Sequence, residues 1–380
     1  MRIAPTLKRL EVAWRTLWIR VLTRLMRRPA TAERPDWSAR PYRVLFLRHD
    51  RIGDMILSTG LLREIARSHP TIKLDVLASP SNAPVLRGDP HIGTVVVFDR
   101  AKPARYLATL RRLRSVRYDA VIDCMPTAPS LTTLLLMWAS GAAHRIGVAG
   151  RGNDAALTLP VPPRRDAIHV VDQLAALAAA FGVDHRAVSF RPQLYVDESE
   201  REWADAAWSA SAAGPGGRRL LVNVSVGRAF RRWPDDRFVA VIKHALSRDS
   251  RLTVIVVSAP EDRDRAEAIA RDAGARFERT ATLRHALALV ATADILFTPD
   301  TGLAHAASAF NRPAVVMYVQ GTANQWGPYR SAGYPLSSPD GSLTSLDLAP
   351  VLEALDRLLT DTHPARRRAI EEAEFGHFVR

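Results

Sequence analysis

Residues 297–308, in the C-terminal half, combine residue types and spacings that could bind a phosphate. An apolar run there ends in Asp300, Thr301 and Gly302, and a helical pattern of small residues follows. Asp or Thr can cap such a helix, and Gly302 lets a ligand approach the backbone closely. The free N–H groups of the first turn favour a phosphate, and His305, about one turn after Thr301, can face the same spot. Alternatively, the segment is an ordinary capped helix packed on a sheet.

A second motif, near the N-terminus, joins a buried strand to a carboxylate. The apolar residues 44–47 predict a parallel strand, and the polar loop 48–53 leads into a helix that begins near Asp54. Asp54 therefore lies at the carboxyl end of a strand, where ligands bind in open α/β sheets. Alternatively, Asp54 only complements the dipole at the start of the helix.

A third motif, residues 220–239, is basic. A strand pattern runs into a turn that contains Ser225 and Gly227, and paired arginines and a Trp-Pro helix start follow. Because arginine presents forked donors, Arg231 near a glycine turn suits a diphosphate. Just past the next predicted strand, Glu261 and Asp262 are equal candidates to accept hydrogen bonds from a ribose. A solvated basic loop is the alternative interpretation.

The elements between these motifs alternate strand and helix patterns, which predicts parallel sheets built from βαβ units. Eight strands are predicted, at residues 44–47, 73–78, 94–98, 120–123, 220–223, 253–258, 295–297 and 314–318. A chain of 380 residues, 47% of them hydrophobic and 24% charged, is long enough for two globular domains. The single cysteine, Cys124, excludes a disulfide framework and a cysteine-based metal site.

The N-terminal segment carries much of the positive charge. Eleven basic and three acidic residues in positions 1–43 give a net +8, out of +14 for the whole chain. A helix over residues 3–25 would place apolar side chains, including Trp14 and Trp18, on one face and arginines on the other. This pattern is typical of a helix in a membrane interface, and it fits neither a signal peptide nor a spanning helix. We expect residues 1–28 to bind an anionic membrane surface. Alternatively, the helix packs on its own domain or on a dimer partner.

In this order the three motifs resemble those of glycosyltransferase family 9, the bacterial heptosyltransferases that build the lipopolysaccharide inner core. The matching segments are Arg48 to Asp54, Asn223 to Pro234 and Asp300 to His305, within a resemblance that spans residues 42–359. The resemblance implies a GT-B fold, in which two Rossmann-like domains with parallel sheets face each other across a cleft; here an N-terminal amphipathic helix is added. The expected parts are 1–40 (amphipathic basic helix and linker), 41–195 (acceptor domain), 196–348 (nucleotide-sugar domain) and 349–380 (a helix returning to the first domain, and a tail).

The resemblance also implies roles for individual residues. Asp54 is the expected catalytic base, which takes the proton of the acceptor hydroxyl during transfer with inversion. Arg48 and Arg51 are expected to bind the acceptor. The expected donor-binding residues are Ser225, Gly227, Arg231, Glu261, Asp300, Thr301, Gly302 and His305. The chain departs from the family pattern at Arg231, where the family often has lysine, and at residues 319–323, where many members have Gly-Pro-Thr.

The implied reaction is transfer of a sugar, expected to be heptose from ADP-heptose, to lipopolysaccharide core or a related glycolipid, without a cofactor or metal. We expect the enzyme to be peripheral on the inner face of the bacterial inner membrane. The alternatives are a sugar-nucleotide 2-epimerase of similar fold and a non-catalytic membrane-associated scaffold. We expect no nucleic-acid partner, because the body of the chain lacks the interleaved aromatic and basic residues of nucleic-acid modules.

Overall fold

A computed structural model describes residues 5–27, 33–125, 130–210 and 217–361; within the first helix it describes side chains from Ala13 onward, except that of Arg15. The chain divides into two compact units, Met1–Pro192 and Gln193–Arg380. The division falls a few residues before the boundary expected from the sequence. The tail after residue 361 lies outside the described residues.

The first unit is built on a six-stranded parallel sheet. Its strands are β1 (Arg43–Arg48), β2 (Lys73–Ala78), β3 (Val95–Val97), β4 (Ala120–Asp123), β5 (His144–Val148) and β6 (Leu159–Val161). Its α-helices are α1 (Pro5–Leu25), α2 (Ile52–Ser68), α3 (Pro103–Val116), α4 (Leu131–Ser140) and α5 (Val170–Ala175). The strand order is β3-β2-β1-β4-β5-β6. The central strands are continuous apolar runs because helices cover both faces of the sheet.

Helices α1, α3 and α4 lie on one face of this sheet, where they share one apolar core with alternate residues of β1 and β4. Helix α4 packs against both α3 and α1. Helices α2 and α5 pack against each other. Strands β1 and β2 are joined through α2, and the right-handed crossover of such a connection places α2 on the opposite face of the sheet. The first turn of α2, which contains Asp54, lies beside the end of β1.

Helix α1 packs on its own unit through part of its apolar surface. Met26 is buried just after the helix, and Ile19 and Leu22 pack against the same core. A guanidinium nitrogen of Arg145 donates to the carbonyl of Met26 at 2.6 Å. On the face that was predicted to bind a membrane, Trp14, Leu17, Trp18 and Leu25 are exposed, whereas Val21 and Leu22 are half-buried. Within the described ranges, no helix combines the length and apolar character needed to cross a membrane.

The second unit holds another six-stranded parallel sheet. Its strands are β7 (Arg219–Asn223), β8 (Thr253–Val257), β9 (Arg276–Phe277), β10 (Ile295–Pro299), β11 (Ala314–Tyr318) and β12 (Gly333–Ser337). Its α-helices are α6 (Glu198–Ser209), α7 (Asp235–Arg248), α8 (Arg263–Ala273), α9 (Leu283–Thr292), α10 (Gly302–Ala309), α11 (Ala323–Trp326) and α12 (Leu348–Asp361). The strand order is β12-β11-β10-β7-β8-β9.

The two sheets share one connectivity. Reading the second sheet from β9 gives β9-β8-β7-β10-β11-β12, which repeats the order of the first. In both, the strand order reverses at one place: between β1 and β4 in the first sheet, and between β7 and β10 in the second. Ligands of doubly wound sheets bind at the carboxyl ends of the strands beside this reversal. Each unit therefore has one place where a site is expected.

The last described helix, α12, packs within the second unit. Its apolar side chains, such as Val351 and Leu355, are buried in the core of that unit, and the helix contacts α7, β11 and β12. Arg218, just before β7, donates to the carbonyl of Leu359. These contacts place α12 with the second unit, and the return of the chain to the first domain stays a prediction.

Candidate functional site

In the first unit, the reversal between β1 and β4 is occupied by a buried arginine that holds two carboxylates. Arg48, the last residue of β1, is fully buried. Its Nη2 donates to Asp54 Oδ1 at 3.2 Å, its Nε donates to the carbonyl of Asp54 at 3.1 Å, and its Nη1 donates to the carbonyl of Cys124. Its Nε also lies 3.4 Å from Asp50 Oδ1. The guanidinium therefore fixes Asp54 and is not presented to solvent.

The electrostatic surroundings of Asp54 favour a proton acceptor. Asp54 lies in the first turn of α2 and is buried. Burial raises the pKa of Asp54, Arg48 opposes that shift, and the like charge of Asp50 adds to it. Burial likewise raises the pKa of Asp50, against the pull of Arg48. Because a general base works best with a pKa near the working pH, an aspartate with a raised pKa suits this role.

A third carboxylate, Asp123, ends the neighbouring strand β4. Its Oδ1 accepts from the Met125 amide at 3.1 Å, and its Oδ2 accepts from Asn153 Nδ2 at 3.2 Å. Burial raises the pKa of Asp123 to about 6, although the Met125 N–H and Arg151 oppose the shift. Asp123 was not among the site residues predicted from the sequence. Its position as the polar last residue of an apolar strand, beside β1, was the signal that could have found it.

The two arginines predicted to bind the acceptor lie in different environments. Arg48 is buried against Asp54, whereas Arg51 occupies the N-cap position of α2 with its side chain exposed. Between them, His49 packs its ring against Phe98, with the centroids 5.5 Å apart. Neither ring nitrogen of His49 has a hydrogen-bond partner among the described residues. Burial, followed by the charge of Arg100, lowers the pKa of His49 to about 4, so the ring is neutral at neutral pH.

The helix that carries Asp54 is held tightly in its own unit. An alanine Cβ at Gly60 of α2 would overlap the carbonyl of Phe190, so the backbone of this later segment passes directly over the helix. Arg63, one turn further on, donates to the carbonyls of Ser189 and Arg191 at 2.6 and 3.1 Å. Residues 189–191, near the end of the first unit, therefore help to hold the helix that positions Asp54.

In the second unit, the reversal between β7 and β10 is occupied by an arginine–aspartate pair. Arg231 lies in a 3-10 turn, Ala229–Arg231, and its Nη1 is 2.8 Å from Asp300 Oδ2 and 3.2 Å from the Asp300 carbonyl. Asp300 directly follows β10 and is buried, while a quarter of the Arg231 side chain is exposed. The Nε of Arg231 has no hydrogen-bond partner within the described ranges. The exposed quarter of the Arg231 side chain is the part that a ligand can reach.

Polar side chains join the ends of β7 and β10. Asn223 Nδ2 donates to Thr298 Oγ1 at 2.9 Å and to Thr301 Oγ1 at 3.2 Å, while Asn223 Oδ1 accepts from the Ser225 amide at 3.2 Å. Ser225 Oγ accepts from the Ala259 amide at 2.7 Å, which ties the loop after β7 to the loop after β8. Asn223, which no motif had singled out as a site residue, is the centre of this network. It links two predicted donor-binding residues, Ser225 and Thr301.

Helix α10 begins at Gly302 without a side-chain cap from its N-cap residue. Thr301 occupies the N-cap position, but its side chain accepts no hydrogen bond from the first turn. The expectation that Thr301 caps the helix is therefore wrong, because its hydroxyl belongs to the Asn223 network. His305 is buried one turn on, with its ring centroid 6.4 Å from that of Trp326. A helix start beside a guanidinium suits an anion.

The remaining predicted donor residues lie on the neighbouring loops. Gly227 is exposed, and a Cβ there would meet no atom within 4 Å, so the protein itself does not require glycine at this position. Asp262 is buried and pairs with Arg232 at 2.8 Å, whereas the side chain of Glu261 is exposed. This difference favours Glu261 over Asp262 as the residue available to a ribose. Among the described residues no three His, Cys, Asp or Glu side chains are grouped as metal ligands.

Comparisons of sequence point to one family. The family model described as glycosyltransferase family 9 (heptosyltransferase) matches residues 106–344. The chain is 25% identical over 347 residues to lipopolysaccharide heptosyltransferase 2 of Escherichia coli, an alignment that covers 86% of this chain and 90% of that protein.

Comparisons of structure agree. A glycosyltransferase family 9 structure from Veillonella parvula superposes with a TM-score of 0.76 at 18% identity, over 86% of this chain and 99% of the other. The E. coli heptosyltransferase WaaC with ADP superposes with a TM-score of 0.66 at 19% identity, over 83% and 99% of the two chains. This likeness confirms the predicted fold class: an α/β protein with two parallel six-stranded sheets and the GT-B-like fold of heptosyltransferases.

Proposed function

The chain belongs to glycosyltransferase family 9, the heptosyltransferases, and on that premise we propose that it transfers heptose, with inversion, from ADP-heptose to a lipopolysaccharide core or related glycolipid. The observation that carries this proposal is the buried Asp54, held by Arg48 beside the strand-order reversal of the first unit. The second unit has at its own reversal the guanidinium of Arg231 beside the start of α10, an arrangement that suits a diphosphate.

In this proposal Asp54 is the catalytic base. Its carboxylate takes the proton of the acceptor hydroxyl while the hydroxyl oxygen attacks the anomeric carbon of the donor. The bond between that carbon and the diphosphate oxygen breaks on the opposite face, so the configuration inverts. One carboxylate suffices, unlike in glycosidases, because the diphosphate departs without a protein acid. Arg48 positions Asp54 by binding both its carboxylate and its carbonyl.

The departing diphosphate needs positive charge and oriented N–H groups. Arg231 and the first turn of α10, which starts at Gly302, supply both from the second unit. Asp300 is buried against Arg231, so we assign it the role of orienting the guanidinium, whose other nitrogens remain for the phosphates. Arginine in place of the family's frequent lysine makes this possible, because a guanidinium can bind a carboxylate and a phosphate at the same time.

The remaining predicted residues take narrower roles. Gly227 lies in an open loop that a diphosphate can approach, and the exposed Glu261 is proposed to bind the ribose. The exposed Arg51 is proposed to bind the acceptor, whereas the burial of Arg48 favours positioning of Asp54 over direct acceptor contact. His305, one turn into α10, is proposed to lie beside the donor. Ser225 and Thr301 hold the loop and helix start together through Asn223.

The acceptor class also suggests a location. A glycolipid acceptor resides in a bilayer, and the basic residues 1–28 would be attracted to anionic lipid. We therefore propose that the enzyme is peripheral on the inner face of the bacterial inner membrane.

The activity is tested by incubating purified protein with ADP-heptose, with and without lipid A–core acceptor, and measuring ADP release and product mass. Acceptor-dependent transfer is expected, and Asp54→Ala should abolish it while ADP affinity stays within a few-fold. Interconversion of the nucleotide sugar without acceptor would instead indicate an epimerase. The absence of both reactions, with a range of candidate nucleotide sugars, would indicate a non-catalytic scaffold.

A further inference from the structure

The outer surface of one helical layer in the first unit has an unusual composition. Helices α3, α4 and α1 lie side by side on one face of the first sheet and share its core. The side chains that point away from that core form a single outer surface, which we call the helical face. It consists of the outward residues of Trp14–Arg27, Lys102–Arg117 and Leu131–Ser140.

The helical face concentrates exposed apolar side chains. Of the nine large hydrophobic residues exposed in the described part of the chain, six lie on these three helices: Trp14, Leu17, Trp18, Leu25, Leu107 and Trp138. Their exposed fractions run from 42% at Trp18 to 77% at Leu25. Trp14 and Trp18 meet edge to face, with ring centroids 5.9 Å apart. A cluster of this kind on a soluble surface marks an interaction site.

The three helices are rich in positive charge, and their sequences contain one acidic residue, Glu11 of α1. Residues 13–28 contain five arginines, residues 102–117 contain six lysines and arginines, and neither stretch nor α4 contains Asp or Glu. Lys102 and Arg105 are each 3.8 Å from Asp99, which offsets part of the charge. Arg114 contributes to the positive charge that Asp99 does not offset. Its Nη1 would lie 2.9 Å from a Cβ at Gly141, the residue that ends α4 one turn after Trp138.

We propose that the helical face binds the surface of a bilayer rich in anionic phospholipid. Tryptophans and leucines would enter the headgroup boundary, and the arginines around them would contact lipid phosphates. Charge complementarity selects this occupant. A second copy of the chain would have to meet this face with its own, and like charges facing each other disfavour such a dimer.

The proposal assigns the binding surface to the folded domain as well as to the N-terminal residues. Arg111 and Arg114 lie on α3 one and two turns after Leu107, so all three share one side of that helix. Trp138 belongs to α4, whose other side is in the core. Removal of residues 1–36 is not a clean test, because it would also take Met26 out of the core. Substitutions of exposed side chains in the full-length chain avoid this problem.

The test is cosedimentation of full-length protein with vesicles of equal parts phosphatidylglycerol and phosphatidylethanolamine, and with neutral phosphatidylcholine vesicles. Wild type should bind the anionic vesicles far more strongly, and high salt should release it only in part. Arg111→Gln with Arg114→Gln should weaken binding by about fivefold per charge, on the order of 25-fold together, at low salt. The matched control, Arg263→Gln with Arg271→Gln on α8, removes two exposed cations of the second unit and should change binding by less than twofold.

The contribution of apolar side chains to vesicle binding is tested by Trp14→Ala with Trp18→Ala, and separately by Trp138→Ala. Both variants should keep the wild-type melting temperature, because these side chains are exposed, and both should lose the salt-resistant fraction of binding. The proposal fails if the Arg111→Gln, Arg114→Gln variant binds vesicles as strongly as the Arg263→Gln, Arg271→Gln control. It also fails if Trp138→Ala binds vesicles like wild type. It also fails if wild type is a dimer that the tryptophan variants dissociate, without any change in vesicle binding. Since no donor or acceptor is added, the result does not depend on the proposed catalytic activity.

Discussion

Replacing Asp54 by asparagine tests the assignment of the catalytic base most directly. The variant keeps the shape of the side chain, and an amide oxygen can still accept from Arg48, but it cannot take a proton. Removing a general base lowers turnover by about 10²–10⁴-fold, which corresponds to roughly 3–5.5 kcal/mol in the activation barrier. Transfer from ADP-heptose should fall by this factor, while ADP affinity, measured by calorimetry, should stay within a few-fold.

Folding should survive this substitution. Truncating one partner of a buried ion pair costs about 3–5 kcal/mol when the other charge is left alone. Arg48 is not left alone, because its Nε stays near Asp50 and its Nη1 keeps the carbonyl of Cys124. The buried carboxylate of Asp54 also carries a desolvation cost, as its raised pKa shows, and asparagine removes it. The loss of unfolding free energy should therefore be well below that range.

The matched control is Asp50→Asn, which removes the other carboxylate beside Arg48. The base must be deprotonated, so kcat/KM should rise with pH through the pKa of Asp54, which lies above its usual value of about 3.9. The like charge of Asp50 raises that pKa, so removing it should shift the acid limb of the profile to lower pH and leave substantial activity. Near-normal turnover of Asp54→Asn, or an inactive Asp50→Asn beside an active Asp54→Asn, would refute the assignment. A shift of the acid limb to higher pH in Asp50→Asn would refute the electrostatic account.

Three further predictions concern the ends of the strands. Arg231→Ala and His305→Ala should each weaken ADP binding by about 1–3 kcal/mol, the value of a charge-assisted contact, and unchanged calorimetric affinities in both would contradict the donor site. Gly227→Ala should melt like wild type, because its Cβ meets no atom within 4 Å, yet it should bind ADP more weakly if the loop contacts the diphosphate. Asp123→Asn should stabilise the protein at pH 7. The pKa of Asp123 is about 6 in the folded state, against about 3.9 in the unfolded chain. The wild-type protein therefore loses stability as the pH rises between these two values, and asparagine removes this loss. Denaturant unfolding should show a gain of up to ~3 kcal/mol at pH 7 that disappears near pH 4.

The sequence predicted the central strands because helices cover both of their faces. Residues 44–47 and 220–222 are buried on both sides, so each appears as an uninterrupted apolar run. The four strands that were not predicted lie at or beside the sheet edges: β5, β6, β9 and β12. The edge strands β6 and β12 each contain a proline, and β9 has only two residues. Strands of this kind carry too few apolar residues to form a recognisable pattern.

The candidate site was predictable where a motif fixes a position in the chain. Asp300 directly follows the apolar strand β10, and Asp54 lies in the first turn of the helix after β1; both are at strand-order reversals of parallel sheets. Arg48 and Arg231 were predicted as site residues, but their ion pairs with these aspartates were not. Arg48 is the first polar residue after an apolar run, which favours an exposed loop residue, and its burial depends on Asp50 and Cys124 lying around it. Such a contact between distant segments has no local signature, since it depends on the pairing of β1 with β4.

Variants in the two units should separate the chemical step from donor binding, because each site is held by residues of its own unit. The hydrogen bonds that hold Asp54 come from Arg48 and α2 within the first unit, and the ion pair that holds Arg231 is with Asp300 in the second. A change at Asp54 therefore leaves the Arg231 site intact, and a change at Arg231 leaves the pKa of Asp54 unaltered. Arg231→Ala should consequently raise KM for the donor and lower kcat through the loss of leaving-group stabilisation, while the acid limb of the pH profile stays in place. A displaced acid limb in that variant would mean that a group other than Asp54 titrates in the wild-type reaction.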